Sequence, residues 1–150
     1  MDNFFIAIQP PETIKQTIAK RIKSLTTHQA SWVHPDLYHL TVRFLGAISE
    51  DTARNAFANE PALHGIATPH SLSFFRRDGY PRVLYIHYHI NEKSYHLTLA
   101  RCRNRREGEH LQTVVNTTPI DIEDLSFTVS DLILLRSKHT DRGIHYIRYT

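Results

Sequence analysis

The chain has one cysteine, one methionine and one tryptophan among its 150 residues, and only five glycines. Cys102 has no second thiol to pair with, so an internal disulfide is excluded and a reducing setting, the cytoplasm, is the natural expectation. No two-cysteine zinc spacing exists either. Long apolar runs are missing: Phe4-Phe5-Ile6-Ala7-Ile8 beside Asp2 is too short and has the wrong flank for a signal segment, and nothing later is long enough to span a bilayer. Met1 is therefore read as the start of a single soluble domain covering 1–150, large enough to stand without a metal or disulfide. A long basic tail is absent too, although the formal charge is +3. The positive side chains gather instead around Arg76, Arg77 and Arg82 and around Arg101, Arg103, Arg105 and Arg106, which favours anionic partners while leaving each single arginine open to an ordinary surface role.

What is present reads as strand, helix, strand, helix and then a succession of strands. Phe4 to Ile8 is a short buried strand, and Pro10-Pro11-Glu12 opens a helix with Ile14, Ile18, Ile22 and Leu25 at helical spacing. A loop with Trp32 and Pro35 precedes a strand from Tyr38 to Leu45, closed by Gly46, and Ser49 with Thr52 starts a second helix through Phe57. Ser71 to Arg76, Val83 to Ile90, Tyr95 to Arg101, Leu125 to Arg136 and Ile144 to Tyr149 are β-branched and aromatic runs separated by turn residues. Glu107 to Val115 reads as a short helix or an irregular loop.

Two strand segments repeat one pattern, His39-Leu40-Thr41-Val42 and His96-Leu97-Thr98-Leu99. In a chain of this composition chance supplies about one His-x-Thr, but only about 0.17 with an apolar residue after each polar one, so the fuller form carries information. Alternation puts each imidazole beside its hydroxyl on one face and the leucines and valine on the other. Two such strands facing a cleft would surround a phosphate with an acid, a base and two neutral donors, with no metal required. On a regular strand Arg43 shares the face of His39, Phe44 turns to the core, and Arg101 needs a bulge or a strand end to reach the face of His96. Tyr38 and Tyr95 remain open as base-stacking platforms, while Trp32 and Phe74 read as packing residues.

These residues resemble the two-histidine phosphoesterase superfamily, and within it the LigT-like RNA 2',3'-cyclic phosphodiesterases, also called 2'-5' RNA ligases. The likeness runs through Phe4-Phe5-Ile6-Ala7-Ile8 with Pro11, His39-Leu40-Thr41-Val42-Arg43-Phe44-Leu45-Gly46, His96-Leu97-Thr98-Leu99-Ala100-Arg101 and Leu132-Ile133-Leu134-Leu135-Arg136-Ser137. The resemblance implies an α+β fold of two pseudo-twofold lobes, with antiparallel-rich sheets, helices outside and a central cleft. It further implies metal-independent, cofactor-free catalysis on RNA ends or small cyclic nucleotides. His39 would be proton donor and His96 acceptor, Thr41, Thr98, Arg43 and Arg101 would bind the phosphate, and ligation would be the reverse reaction.

One departure stands out. Only Asn91 to Ser94 separates Ile90 from Tyr95 where the family has a helix, so the second lobe is expected to lack that helix and to make an antiparallel hairpin instead. The apolar face left bare is expected to be covered by the carboxy-terminal strands or by a second subunit. A tight hairpin would set His89 opposite His96, with His87 nearby. Two competing readings follow: a non-catalytic RNA-binding module, and a His-cluster metal protein.

Overall fold

The computed structural model describes residues 3–149; Met1, the expected start of the fold, lies outside them. β1 (Asn3–Ile8) is buried from Phe4 to Ile8 and apolar on both faces because both are covered, Phe4 and Ile6 packing with Ala53, and Phe5 and Ala7 with Ile133, Leu135 and Tyr146. α1 (Glu12–Arg21) is shorter than its apolar spacing predicts, yet Ile22 and Leu25 in the turns beyond it are as buried as Ile18 within it. A two-residue β2 (Ser31–Trp32) and a 3-10 helix Pro35–Leu37 lead to β3 (Leu40–Gly46). α2 (Glu50–Ala58) starts as expected at Ser49, whose hydroxyl accepts the Thr52 N–H at 3.1 Å. Then come β4 (Ile66–Arg77), β5 (Tyr80–Ile90), β6 (Lys93–Arg101), α3 (Arg105–Thr117), β7 (Phe127–Thr128), β8 (Ile133–Thr140) and β9 (Gly143–Arg148).

The strands form two sheets with antiparallel pairing throughout, in the orders β3-β1-β8-β9 and β2-β6-β5-β4-β7. This is the expected α+β arrangement, with each histidine strand beside the strand that leads its lobe: β3 beside β1, and β6 beside β5. The expected hairpin is there, and no helix separates β5 from β6. Asn91 and Glu92 both take positive φ, 49° and 70°, as a two-residue turn between twisted strands demands.

α3 resolves the ambiguity over Glu107 to Val115 in favour of a helix, and a longer one. Its signal was a cap: the Asn104 side chain accepts the Glu107 N–H at 3.0 Å, while Glu107 turns back to the N–H and guanidinium of Arg103. Gly108 is required inside it, since a Cβ there would stand 2.1 Å from the Pro81 carbonyl oxygen.

The apolar face of the second sheet, with Leu84, Ile86, Tyr88, Ile90, Leu97 and Leu99, joins Ile18, Ile22 and Leu25 in the main core. The expected carboxy-terminal cover is met in part: β8 and β9 complete the other sheet, while the front of the expected Leu125 to Arg136 run lies on this face. Leu111 of α3 and the segment carrying Leu125 and Phe127 pack there, and the Tyr88 hydroxyl donates to the Leu125 carbonyl at 2.9 Å. Among the described residues no helix is long and apolar enough to cross a membrane.

Candidate active site

His39 stands one residue before β3, and the preceding 3-10 helix aims it. The carbonyl of Leu37 can only accept, so the 2.8 Å contact from Nδ1 fixes the proton on that nitrogen and leaves Nε2 for chemistry. The ring is packed between Phe5 of β1, at 5.1 Å between centroids, and Tyr146 of β9, at 5.3 Å. Burial pushes the pKa of His39 down; the Leu37 carbonyl opposes this, while the charges of Arg101, His96 and Lys15 add to it.

His96 lies on β6, exposed, with the rings of Phe75 and Tyr85 edge-on at 5.0 and 5.5 Å. Its pKa is lowered by partial desolvation of the imidazole beside those rings, then by Arg101 and His87. The two histidines and Arg101 thus share one electrostatic neighbourhood, drawn from both sheets. The cross-strand partner of His96 is His87; His89 faces Ser94. The expectation of His89 opposite His96 fails because the turn is Asn91 and Glu92 alone, so Lys93 and Ser94 already belong to β6 and every pair shifts by two.

Each histidine strand then bulges at the same place. On β3, Thr41 pairs with Ala7 and Arg43 with Ile6, leaving Val42 as the extra residue; on β6, Thr98 pairs with Tyr85 and Ala100 with Leu84, leaving Leu99. Val42 packs into the core, and Leu99 and Ala100 are buried in succession, which a regular strand with one open face would not allow. The residue three after each threonine therefore returns to the histidine face: Phe44 in the first lobe and Arg101 in the second.

This corrects two expectations. Arg43 is not on the face of His39; it lies across from Ile6 and binds Glu60, Nε to Oε2 at 2.7 Å. Phe44 is not a core residue but 66% exposed, paired with the Phe5 that flanks His39. Arg101, which needed a bulge, has one. Four of the neighbouring arginines are engaged, Arg103 with Glu107, Arg105 with Glu109, Arg76 with the Gly79 carbonyl and Arg82 with the Tyr80 hydroxyl. Arg101 has no ion pair among the described residues.

Thr41 and Thr98 are half-buried on the histidine face, and no protein group among the described residues takes their hydroxyls. Tyr38 is 1% exposed and Tyr95 pairs with buried Tyr88, so neither offers a platform for a base. Trp32 and Phe74 pack against the core as expected. Tyr146 went unnoticed in the sequence, where nothing distinguishes it from the other residues of its strand. It also lines, with Arg101, Arg142 and Trp32, a cavity of about 580 Å³ beside the histidines. Among the described residues no three His, Cys, Asp or Glu side chains are placed to hold a metal ion, which leaves the metal-protein reading without a ligand set. Two imidazoles of lowered pKa, two hydroxyls without a protein partner among the described residues and an arginine without an ion pair there are thus gathered from the two histidine strands.

Comparison with known proteins bears on the family and the fold. The model of the LigT like phosphoesterase family matches residues 8–85. An RNA 2',3'-cyclic phosphodiesterase of Bacillus subtilis (strain 168) is 31% identical over 117 residues, 73% of this chain. The match spans 61% of that relative's length. Among solved structures, E. coli LigT complexed with 3'-AMP superposes with a TM-score of 0.74 at 19% identity, covering 99% of this chain and 95% of that one. TT0787 of Thermus thermophilus gives 0.72 at 18% identity, with the same coverage. At such identities the superpositions speak for the fold.

Proposed function

The chain belongs to the LigT-like phosphoesterase family, and we propose that it hydrolyses 2',3'-cyclic phosphate ends of RNA to 2'-phosphates by acid-base catalysis between His39 and His96. The observation that carries this reading is Arg101, unpaired and acting on both imidazoles at once. A cyclic phosphodiester is a small anion that needs such a cation, and its negative charge raises the pKa of whichever imidazole must hold a proton.

The roles follow from the second ring nitrogens. His39 donates Nδ1–H to the Leu37 carbonyl, a bond that strengthens as the ring becomes an imidazolium, so His39 is the better holder of the extra proton. From Nε2 it protonates the departing 3' oxygen. His96, with no carbonyl partner among the described residues, stays neutral and accepts the proton of the attacking water. Thr41 and Thr98 donate hydroxyl hydrogens to the non-bridging oxygens, Arg101 binds them as a cation, and Phe44 offers its exposed face to the terminal base. With the 5' hydroxyl of a second strand in place of water, the same pair would open the cyclic phosphate into a 2'-5' linkage, His96 taking the hydroxyl proton and His39 protonating the departing 3' oxygen. The buried thiol of Cys102 fits work in the reducing cytoplasm.

A short oligonucleotide ending in a 2',3'-cyclic phosphate tests the reading, with phosphorus NMR to identify the product. The expected product is a 2'-phosphate, formed in the presence of a strong chelator. His39→Ala and His96→Ala should each lower turnover on the order of 100-fold or more while the fold survives. Binding without conversion would assign the chain to non-catalytic RNA recognition, and a chelator-sensitive reaction would sink the two-histidine mechanism.

A further inference from the structure

The face of the second sheet that carries His96 does not stop at His96. Beside it on β5 lie Tyr85, His87 and His89, and beyond them β4 presents Ser71, Ser73 and Phe75 through the pairs Ser71↔His87 and Ser73↔Tyr85. A register shift between Pro69 and Ser71 brings His70 in as well, its ring stacked on His89 at 4.9 Å and edge-on to His87 at 5.3 Å. Not one residue of β4, β5 or β6 is acidic. The three imidazoles have no hydrogen-bond partner among the described residues. Phe75 stacks on Tyr85 at 4.1 Å and 18°, with its outer face open: it is 44% exposed, one of the few large apolar side chains that are.

We infer that this face is the track for the RNA strand leading to the reacting end, with Phe75 as the platform for an upstream base and His70, His87 and His89 as donors to the adjoining ribose-phosphate backbone. The inference deepens the proposed function and rests on it for the position of the end. Three features select single-stranded RNA as the occupant. The surface is continuous with His96, so a strand held by its terminal phosphate passes over it without a break. It combines an open aromatic face with imidazole and hydroxyl donors, the combination by which a β-sheet holds unpaired bases and their backbone. It offers no carboxylate to repel phosphates. The other exit from the histidines, the cavity with Arg142, contains Asp36 and is the rival path.

Equilibrium binding separates the possibilities without relying on turnover. A trinucleotide ending in a 2'-phosphate and the corresponding 2'-mononucleotide are titrated against the full chain by fluorescence anisotropy competition. The trinucleotide should bind at least tenfold more tightly. In His70→Ala/His89→Ala that ratio should fall to within threefold of one, and in Phe75→Ser it should fall by a comparable factor. Arg142→Ala should leave it unchanged. Equal affinities in the wild-type protein, or a ratio lost with Arg142→Ala and kept in the histidine variant, overturn the inference. A concentration-dependent dimer abolished by Phe75→Ser would give the face to a second copy and overturn it as well. Cyclic mononucleotide turnover, measured alongside, tests the underlying activity separately: turnover without length preference removes the track and leaves the reaction.

Discussion

Replacing Arg101 by methionine removes the cation and keeps much of the stem. Two effects should appear together. The phosphate loses a charge-assisted hydrogen bond, of about 1.5–3 kcal/mol, so kcat/KM should fall roughly 10- to 150-fold. Burial is the larger cause of the lowered pKa values of both histidines, and Arg101 is the largest charge that adds to it. Without Arg101 both imidazoles become easier to protonate, so the two limbs of the pH–rate profile should move to higher pH. Arg101→Lys provides the contrast: it keeps the charge, and hence the position of the profile, but loses the planar fork that matches two phosphate oxygens. Steady-state kinetics on a cyclic mononucleotide between pH 4.5 and 9, measured for all three proteins at one ionic strength, gives both quantities. A methionine variant with less than a threefold loss would show that Arg101 does not touch the phosphate, and one with an unmoved profile that it does not tune the histidines.

Other expectations can be checked directly. For the unaltered protein kcat/KM should be bell-shaped with its optimum below pH 6.5, because one histidine must be protonated and the other neutral and both pKa values lie beneath that ordinary value; an optimum above pH 7.5 contradicts this. Phe44→Ala should raise KM for a nucleotide substrate by the equivalent of about 1–3 kcal/mol of lost stacking with little change in kcat, and an unchanged KM would return Phe44 to the status of an idle surface residue. Gly108→Ala should lower the denaturant midpoint despite the better helix propensity of alanine: forcing a methyl against the Pro81 carbonyl costs about 1–3 kcal/mol, against about 1 gained from the helix. A stabilised variant would refute that close approach.

The sequence made the histidine pair, their threonines and the shortened second lobe readable because each depends on a short pattern or on chain length alone. Alternation placed His39 with Thr41 and His96 with Thr98 correctly. It failed one step later, at Val42 and Leu99, because a bulge is decided by the partner strand and leaves no mark in the residues that form it. From the insertion at Val42 follows the exchange of Arg43 for Phe44, and from that at Leu99 the recovery of Arg101. The helix from Arg105 was obscured by a polar start and by Gly108, a residue chosen for contact with Pro81 rather than for propensity. Tyr146 was invisible for a plainer reason: it reaches His39 from β9, more than a hundred residues away.

The replacement of a helix by the Asn91–Glu92 turn also has a bearing on the order in which the protein takes shape. β4, β5 and β6 follow one another through two tight turns, so the half that holds His96 closes over short loops and needs little chain entropy to be surrendered before its contacts form. The half that holds His39 is different. β1 sits between β3 and β8, and the pairing of Asn3 with Ser137 joins positions 134 residues apart in sequence, as the bond from the Ser137 hydroxyl to the Asn3 carbonyl records. During synthesis the His96 meander is free to form while β8 is still unmade, and the cradle of Phe5 and Tyr146 around His39 must wait for the last strands. The proposed two-histidine site is therefore completed at the end of folding, after the surface proposed to hold RNA is already built.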